Sequence, residues 1–134
     1  MRFFIFPIES IHIAVAADKV SKFISHDMTE AEQTVIPLYI LFTRHQKNEN
    51  VSFHGIVLKQ EICDNKKIVI MTPPIEEDIN VSQEEIQSLP DSFSGVYSSF
   101  NGIYFYRQKL IFFLDIENFI SLWQTKHEFR QDVQ

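Results

Sequence analysis

The chain has 134 residues, 45% hydrophobic and 22% charged, which suffices for one compact domain and falls short of two. Its net charge of −6, with the basic residues scattered, excludes the Lys/Arg face that phosphate backbones require, so no nucleic-acid partner is expected. One cysteine, Cys63, excludes an intrachain disulfide framework, and no apolar run approaches the roughly eighteen residues needed to cross a membrane.

The amino-terminal MRFFIFPIES is too short and too interrupted, by Pro7 and Glu9, for a secretory signal. A cytoplasmic protein without membrane insertion is expected. Arg2 to Phe6 and Ile11 to Val15 read as two strands joined by a hairpin turn at Glu9-Ser10. Ala16 to Ile24 fits either a helical turn or a bent strand. His26 to Gln33 reads as an acidic loop. In VIPLYILF, Val35 to Phe42, Pro37 removes one ladder donor, so a strand here belongs at an edge or starts after the proline. Leu38 to Phe42 fits a helical turn equally well. Gln46 to Asn50 reads as a polar loop, as does the small basic cluster Arg44, His45 and Lys47.

Phe53 to Leu58 and Lys67 to Met71 are the next predicted strands, with turn chemistry at Asp64-Asn65-Lys66 and a stop at Thr72-Pro73-Pro74. Ile75 to Ile79 carries three acids, which suits an exposed sheet edge. Ser82 and Glu85 have capping-box spacing and predict a short helix that ends by Pro90. Val96 to Phe100, Gly102 to Tyr106 and Lys109 to Leu114 predict three strands, the last two a hairpin across Arg107-Gln108. Asp115 is placed to cap a closing helix in which Ile116, Phe119, Ile120 and Trp123 form one apolar face; its tail after Phe129 is expected to fray. The strand count and short helices predict a mostly-β barrel or a pair of small barrels, in a single domain over residues 1–134.

Reaction chemistry finds no foothold. Cys63 lies among Glu61 and Asp64, acids that raise a thiol pKa, and a strand-end cysteine is the expected role. The five histidines, at 12, 26, 45, 54 and 127, lack metal-ligand spacing. His12, in IHIAV, is expected on a polar face. Glu76-Glu77-Asp78 and Glu84-Glu85 are neighbours on alternating faces and make no carboxylate pair. Ser94-Gly95 has no histidine nearby, and nucleophile-elbow, zinc-protease, phosphate-loop and dinucleotide motifs are all missing. Neither catalysis nor a cofactor is expected.

The apolar excess is the remaining signal. Tyr104 and Tyr106 share one strand face, Phe105 takes the other, and Phe112 and Phe113 split likewise. Rings left exposed would form a patch of the kind that binds proteins.

The stretch LPDSFSGVYSSFNGIYFYRQKLIFFLDIENFI, Leu89 to Ile120, resembles the end of a CheW-like domain, the coupling module of bacterial chemotaxis arrays. The matching residues are Leu89, Pro90, Gly95, Val96, Leu114 and Asp115. KKIVIMTPPIEEDINVSQEEIQ, FFIFPIESIHIAVAADKVSKFI and VIPLYILF resemble the family's other segments, so the likeness runs over most of the chain. One span departs from it. The family's Gly-rich segment ending in Leu-Arg-Gly is reduced here to Ser25 to Thr34, without glycine or arginine, which implies a shortened or altered first barrel.

The resemblance implies two small packed five-stranded β-barrels with short helices and a carboxy-terminal helix. It implies a non-catalytic adaptor that couples a histidine kinase regulatory domain to a chemoreceptor cytoplasmic tip or a related sensory complex. The expected contact surface is the exposed side of the Phe53 to Leu58 strand, with Phe53, His54 and Ile56, together with Tyr104 and Tyr106. The competing reading is a stand-alone β-barrel that binds a small ligand or peptide in one closed apolar pocket.

Overall fold

A computed structural model describes residues 1–8, 10–25, 34–38, 54–89 and 99–133, with side chains up to residue 124. The opening residues pair as expected: β1 (Arg2–Ile8) and β2 (Ile11–Ala16) form an antiparallel hairpin. Ala17–Lys19 make one 3₁₀ turn and β3 (Val20–Ser25) follows, so the ambiguous segment is a turn and then a strand. β4 (Thr34–Pro37) lies at a sheet edge, where the missing Pro37 N–H costs no ladder bond. β5 (His54–Leu58) and β6 (Ile68–Thr72) are joined through Asp64 and Asn65, both in the left-handed region at φ 53° and 62°. β7 (Glu77–Asn80), β8 (Phe100–Tyr106), β9 (Lys109–Leu114) and α1 (Ile116–Val133) complete the chain.

The strands form a five-stranded sheet in the order β7-β1-β2-β9-β8 and a four-stranded sheet in the order β3-β5-β6-β4. β2 and β9 run parallel, as do β4 and β6; the other pairs are antiparallel. Neither sheet closes into a barrel among the described residues, which corrects the expected pair of five-stranded barrels. The five-stranded sheet curls, but between its edges there is only the isolated Gln87–Ile103 bridge, made by two backbone bonds of 2.8 Å. In the four-stranded sheet, β3 and β4 flank the span Ser25 to Thr34. The sheet that holds the opening hairpin keeps five strands.

Curling lets one strand bury both faces. Along β1, Phe3 and Ile5 enter a cluster on the concave side with Ile79, Ile111 and Phe113, whereas Phe4, Phe6 and Ile8 enter the core between the sheets. Phe112 and Phe113 divide in the same way and both are buried. Ring pairs fill the space: Phe3 meets Phe113 edge-on at 4.7 Å, and Phe100 meets Phe112 at 5.4 Å.

The closing helix caps as expected. The Asp115 carboxylate accepts from the Asn118 N–H at 3.2 Å, and Ile116, Phe119 and Ile120 insert into the inter-sheet core. The helix runs from Ile116 to Val133. The helix expected after Ser82 is a single 3₁₀ turn, Gln83–Glu85. The capping chemistry is present, since the Ser82 N–H and hydroxyl both donate to Glu85 Oε1 at 3.1 Å. The turn ends because Gln87 is drawn into its bridge with β8. Val96 to Phe100 lies mostly outside the described residues; from Phe100 onward one strand runs to Tyr106, with an irregularity at Asn101.

Candidate functional site

Five large apolar side chains remain exposed among the described residues, and four of them form two pairs by place in the fold. Phe23 (46% exposed) on edge strand β3 and Ile75 (42%) on the β6–β7 connector flank a shallow groove of about 310 Å³, lined also by His54, Pro73 and Pro74. The Phe23 ring is held from below by Phe4, edge-on at 4.8 Å. Phe105 (67%) and Leu110 (42%) are cross-strand partners in the β8–β9 hairpin.

The predicted contact residues separate. Phe53 lies outside the described residues, as do the Arg44, His45 and Lys47 cluster and the loops at His26 to Gln33 and Gln46 to Asn50. His54 is exposed at the start of β5, on the groove. Ile56 is 0% exposed inside the inter-sheet core, so it packs the domain and offers no surface. By alternation His54 and Ile56 share a face, but core covers only the inner part of that strand. Tyr104 and Tyr106 lie on the other sheet, half-buried on its concave side, with rings stacked at 5.9 Å. The Tyr104 hydroxyl donates to Glu85 Oε2 at 3.4 Å, and burial together with the Glu85 charge raises the phenol above its usual range. The Arg107 guanidinium lies over Tyr106, 5.0 Å from the ring centroid.

The two ends of the curled sheet differ. One is a recess of about 530 Å³, with Phe3, Ile86 and Phe113 among its lining and Asp18, Lys19, Asp115 and Glu117 also around it. At the other, Glu76 Oε1 lies 2.8 Å from His12 Nδ1, and Glu76 Oε2 accepts from Lys109 Nζ at 3.0 Å. Lys109 also reaches Glu77 at 3.6 Å, and Arg107 stands 3.8 Å from Glu77. Glu76 and Glu77 thus share one ammonium, although strand alternation placed neighbouring acids on opposite faces; β7 is a sheet edge, as its acids suggested. His12 is not on a plain polar face either. The sequence holds no signal for this cluster, because its members come from three stretches far apart along the chain, at His12, Glu76-Glu77 and Arg107 to Lys109.

Burial, with Asp64 beside it, pushes the Cys63 thiol up, which suits packing and opposes nucleophilic use. No group of three or more His, Cys, Asp or Glu could hold a metal among the described residues. No helix among them is long and apolar enough to cross a membrane.

No family model matches the sequence, and no curated protein matches it. Comparison of structures finds the scaffolding protein TtCheW from Thermoanaerobacter tengcongensis, with a TM-score of 0.64 at 14% identity, covering 84% of this chain and 87% of that one. The fold is CheW-like. At that identity the likeness lies in the arrangement of the backbone and leaves the side chains free to differ. The CheW-like fold covers most of the chain, as the resemblance in residues Leu89 to Ile120 implied. It does not select a contact surface.

Proposed function

We propose that this chain is a non-catalytic adaptor of the CheW type, which couples a histidine kinase to a chemoreceptor or a related sensory complex. The observation that carries the reading is the CheW-like fold over 84% of the chain. Apolar side chains left exposed beside a groove support it further. The contact surface centres on Phe23 and Ile75 with His54 between them, and a second contact uses the hairpin that carries Tyr104, Phe105 and Tyr106. Exposed rings on a firm backing are the usual anchors of protein interfaces.

Calorimetry of the purified domain against a histidine kinase regulatory domain and a receptor tip from the same source tests the proposal. Binding to either is expected. Phe23→Ser is expected to weaken that binding at least about tenfold while the circular dichroism stays unchanged, as for loss of an aromatic anchor. No heat with either partner sinks the adaptor reading, and full binding by Phe23→Ser sinks the groove. The small-ligand reading has the recess at Phe3, Ile86 and Phe113 in its favour, and a ligand that raises the melting temperature only when this recess is intact would favour it instead.

A further inference from the structure

The groove ring Phe23 stands on a column of side chains that reaches across both sheets. Phe23 meets Phe4 edge-on at 4.8 Å, and Phe4 belongs to the buried core between the sheets. Over the Phe4 ring lies the Arg2 guanidinium, 5.1 Å from its centroid. Arg2 and Phe4 are two residues apart on β1 and share a face, and Asp78 on β7 is the cross-strand partner of Phe4. Arg2 Nε donates to both Asp78 carboxylate oxygens, at 3.0 and 2.9 Å, and Nη2 donates to one of them at 2.6 Å. The carboxylate thus fixes the guanidinium where it covers Phe4. None of Arg2, Phe4 and Asp78 lines the groove.

We propose that Arg2 and Asp78 are positioning residues for the groove: through Phe4 they set the rotamer in which Phe23 meets a partner. An ion pair this open contributes little to stability by itself. Its geometry matters more, because a planar fork already held by one carboxylate loses no further freedom in covering a ring. Phe4 is gripped between that fork and the core, and Phe23 packs against a ring that stays in place. A half-exposed side chain that is already ordered loses less freedom on association, so the pair acts on affinity without touching the partner. The effect on affinity rests on the groove being the contact surface; the ordering of Phe23 does not.

Aromatic NMR of the phenylalanine-labelled domain alone reads the ordering, with the Phe23 signals assigned through Phe23→Ser. In the native chain the Phe23 ring is expected to show cross-relaxation with Phe4 and shifts displaced by its ring current. Arg2→Gln and Asp78→Asn should each move those shifts toward the values of a free phenylalanine. Arg107→Gln, which removes the arginine lying over Tyr106, should leave them in place. Arg2→Lys keeps the charge and loses the fork, and should resemble Arg2→Gln. Phe23 shifts that respond to neither Arg2→Gln nor Asp78→Asn overturn the proposal, as does native behaviour of Arg2→Lys. In calorimetry, Arg2→Gln is expected to weaken partner binding about two- to fivefold, the scale of an exposed cation–ring contact. Displaced ring shifts with unchanged affinity, where Phe23→Ser does impair binding, overturn the link to affinity. Full binding by Phe23→Ser removes the groove instead and leaves the ordering of the ring as measured.

Discussion

Gly102 stands where the segment after β7 crosses closest to β8. A Cβ placed there would lie 2.4 Å from Ile86 Cγ2 and 3.2 Å from the Gln87 carbonyl, so the bridge that spans the gap in the curled sheet depends on a missing methyl group. Gly102→Ala is expected to destabilise the domain by about 1–3 kcal/mol, as overpacking does, and pairing it with Ile86→Ala should recover part of the loss. Urea unfolding of the single and double variants measures both. A native-like midpoint for Gly102→Ala would mean that the crossing is looser than its geometry. The sequence shows a glycine between Asn101 and Ile103 and nothing of what presses on it. The same limit hides Glu76, His12 and Lys109: each reads locally as a surface charge, and only the strand order brings them together. His54 and Ile56 mark a different limit, since alternation assigns them one face but not where the covering layer stops.

The β8–β9 hairpin was legible because two apolar runs flank a two-residue polar break. Its turn is made by Arg107 and Gln108 at φ 48° and 66°, the left-handed pair that strand twist favours and that Asn-Gly fills most easily. Arg107 has compensation in its contacts with Tyr106 and Glu77, and no such contact accompanies Gln108 among the described interactions. Gln108→Gly is expected to stabilise the hairpin by about 0.5–1 kcal/mol, read as a higher urea midpoint. A lower midpoint would show that the loss of unfolded-state restriction outweighs the relieved strain. The 3₁₀ turn at Gln83–Glu85 shows the opposite outcome for local reasoning. Its capping residues were legible, but the tertiary pull of Ile103 on Gln87 set its length.

At the scale of the molecule, three carboxylates in and beside β7, Glu76, Asp78 and Glu85, are each held below the usual range. Burial pushes Glu76 up, but the hydrogen bonds and charges of Lys109 and His12 outweigh it. Asp78 is held down by hydrogen bonds from Arg2, and Glu85 by those from the Ser82 backbone and hydroxyl. A carboxyl with a lowered folded pKa contributes stability above its unfolded pKa and loses it as pH falls through the folded value. Urea midpoints should therefore decline as the pH drops from about 5 toward 2, below the ordinary carboxylate range. Midpoints that stay level would show that these contacts hold no more tightly than their solvated counterparts. The CheW-like architecture was legible from the closing hairpin and helix, where apolar period, turn and cap agree. The open barrels were not, because closure depends on pairing between distant edges and strand patterns leave that free.

The order β7-β1-β2-β9-β8 also has a consequence for how the chain is made. The four-stranded sheet is built from consecutive residues between Val20 and Thr72, but β2 finds its parallel partner only when Ile111 and Phe112 arrive opposite His12 and Ile13. At ribosomal speeds of about 5–20 residues per second, that wait is roughly 5–20 s. Throughout it the flank of β2 faces solvent as an open template, while the middle of the chain is free to fold. The nascent polypeptide is thus sealed by its last strands, and a pause in translation before β9 would prolong the interval in which a chaperone, or a neighbouring nascent chain, finds that flank first.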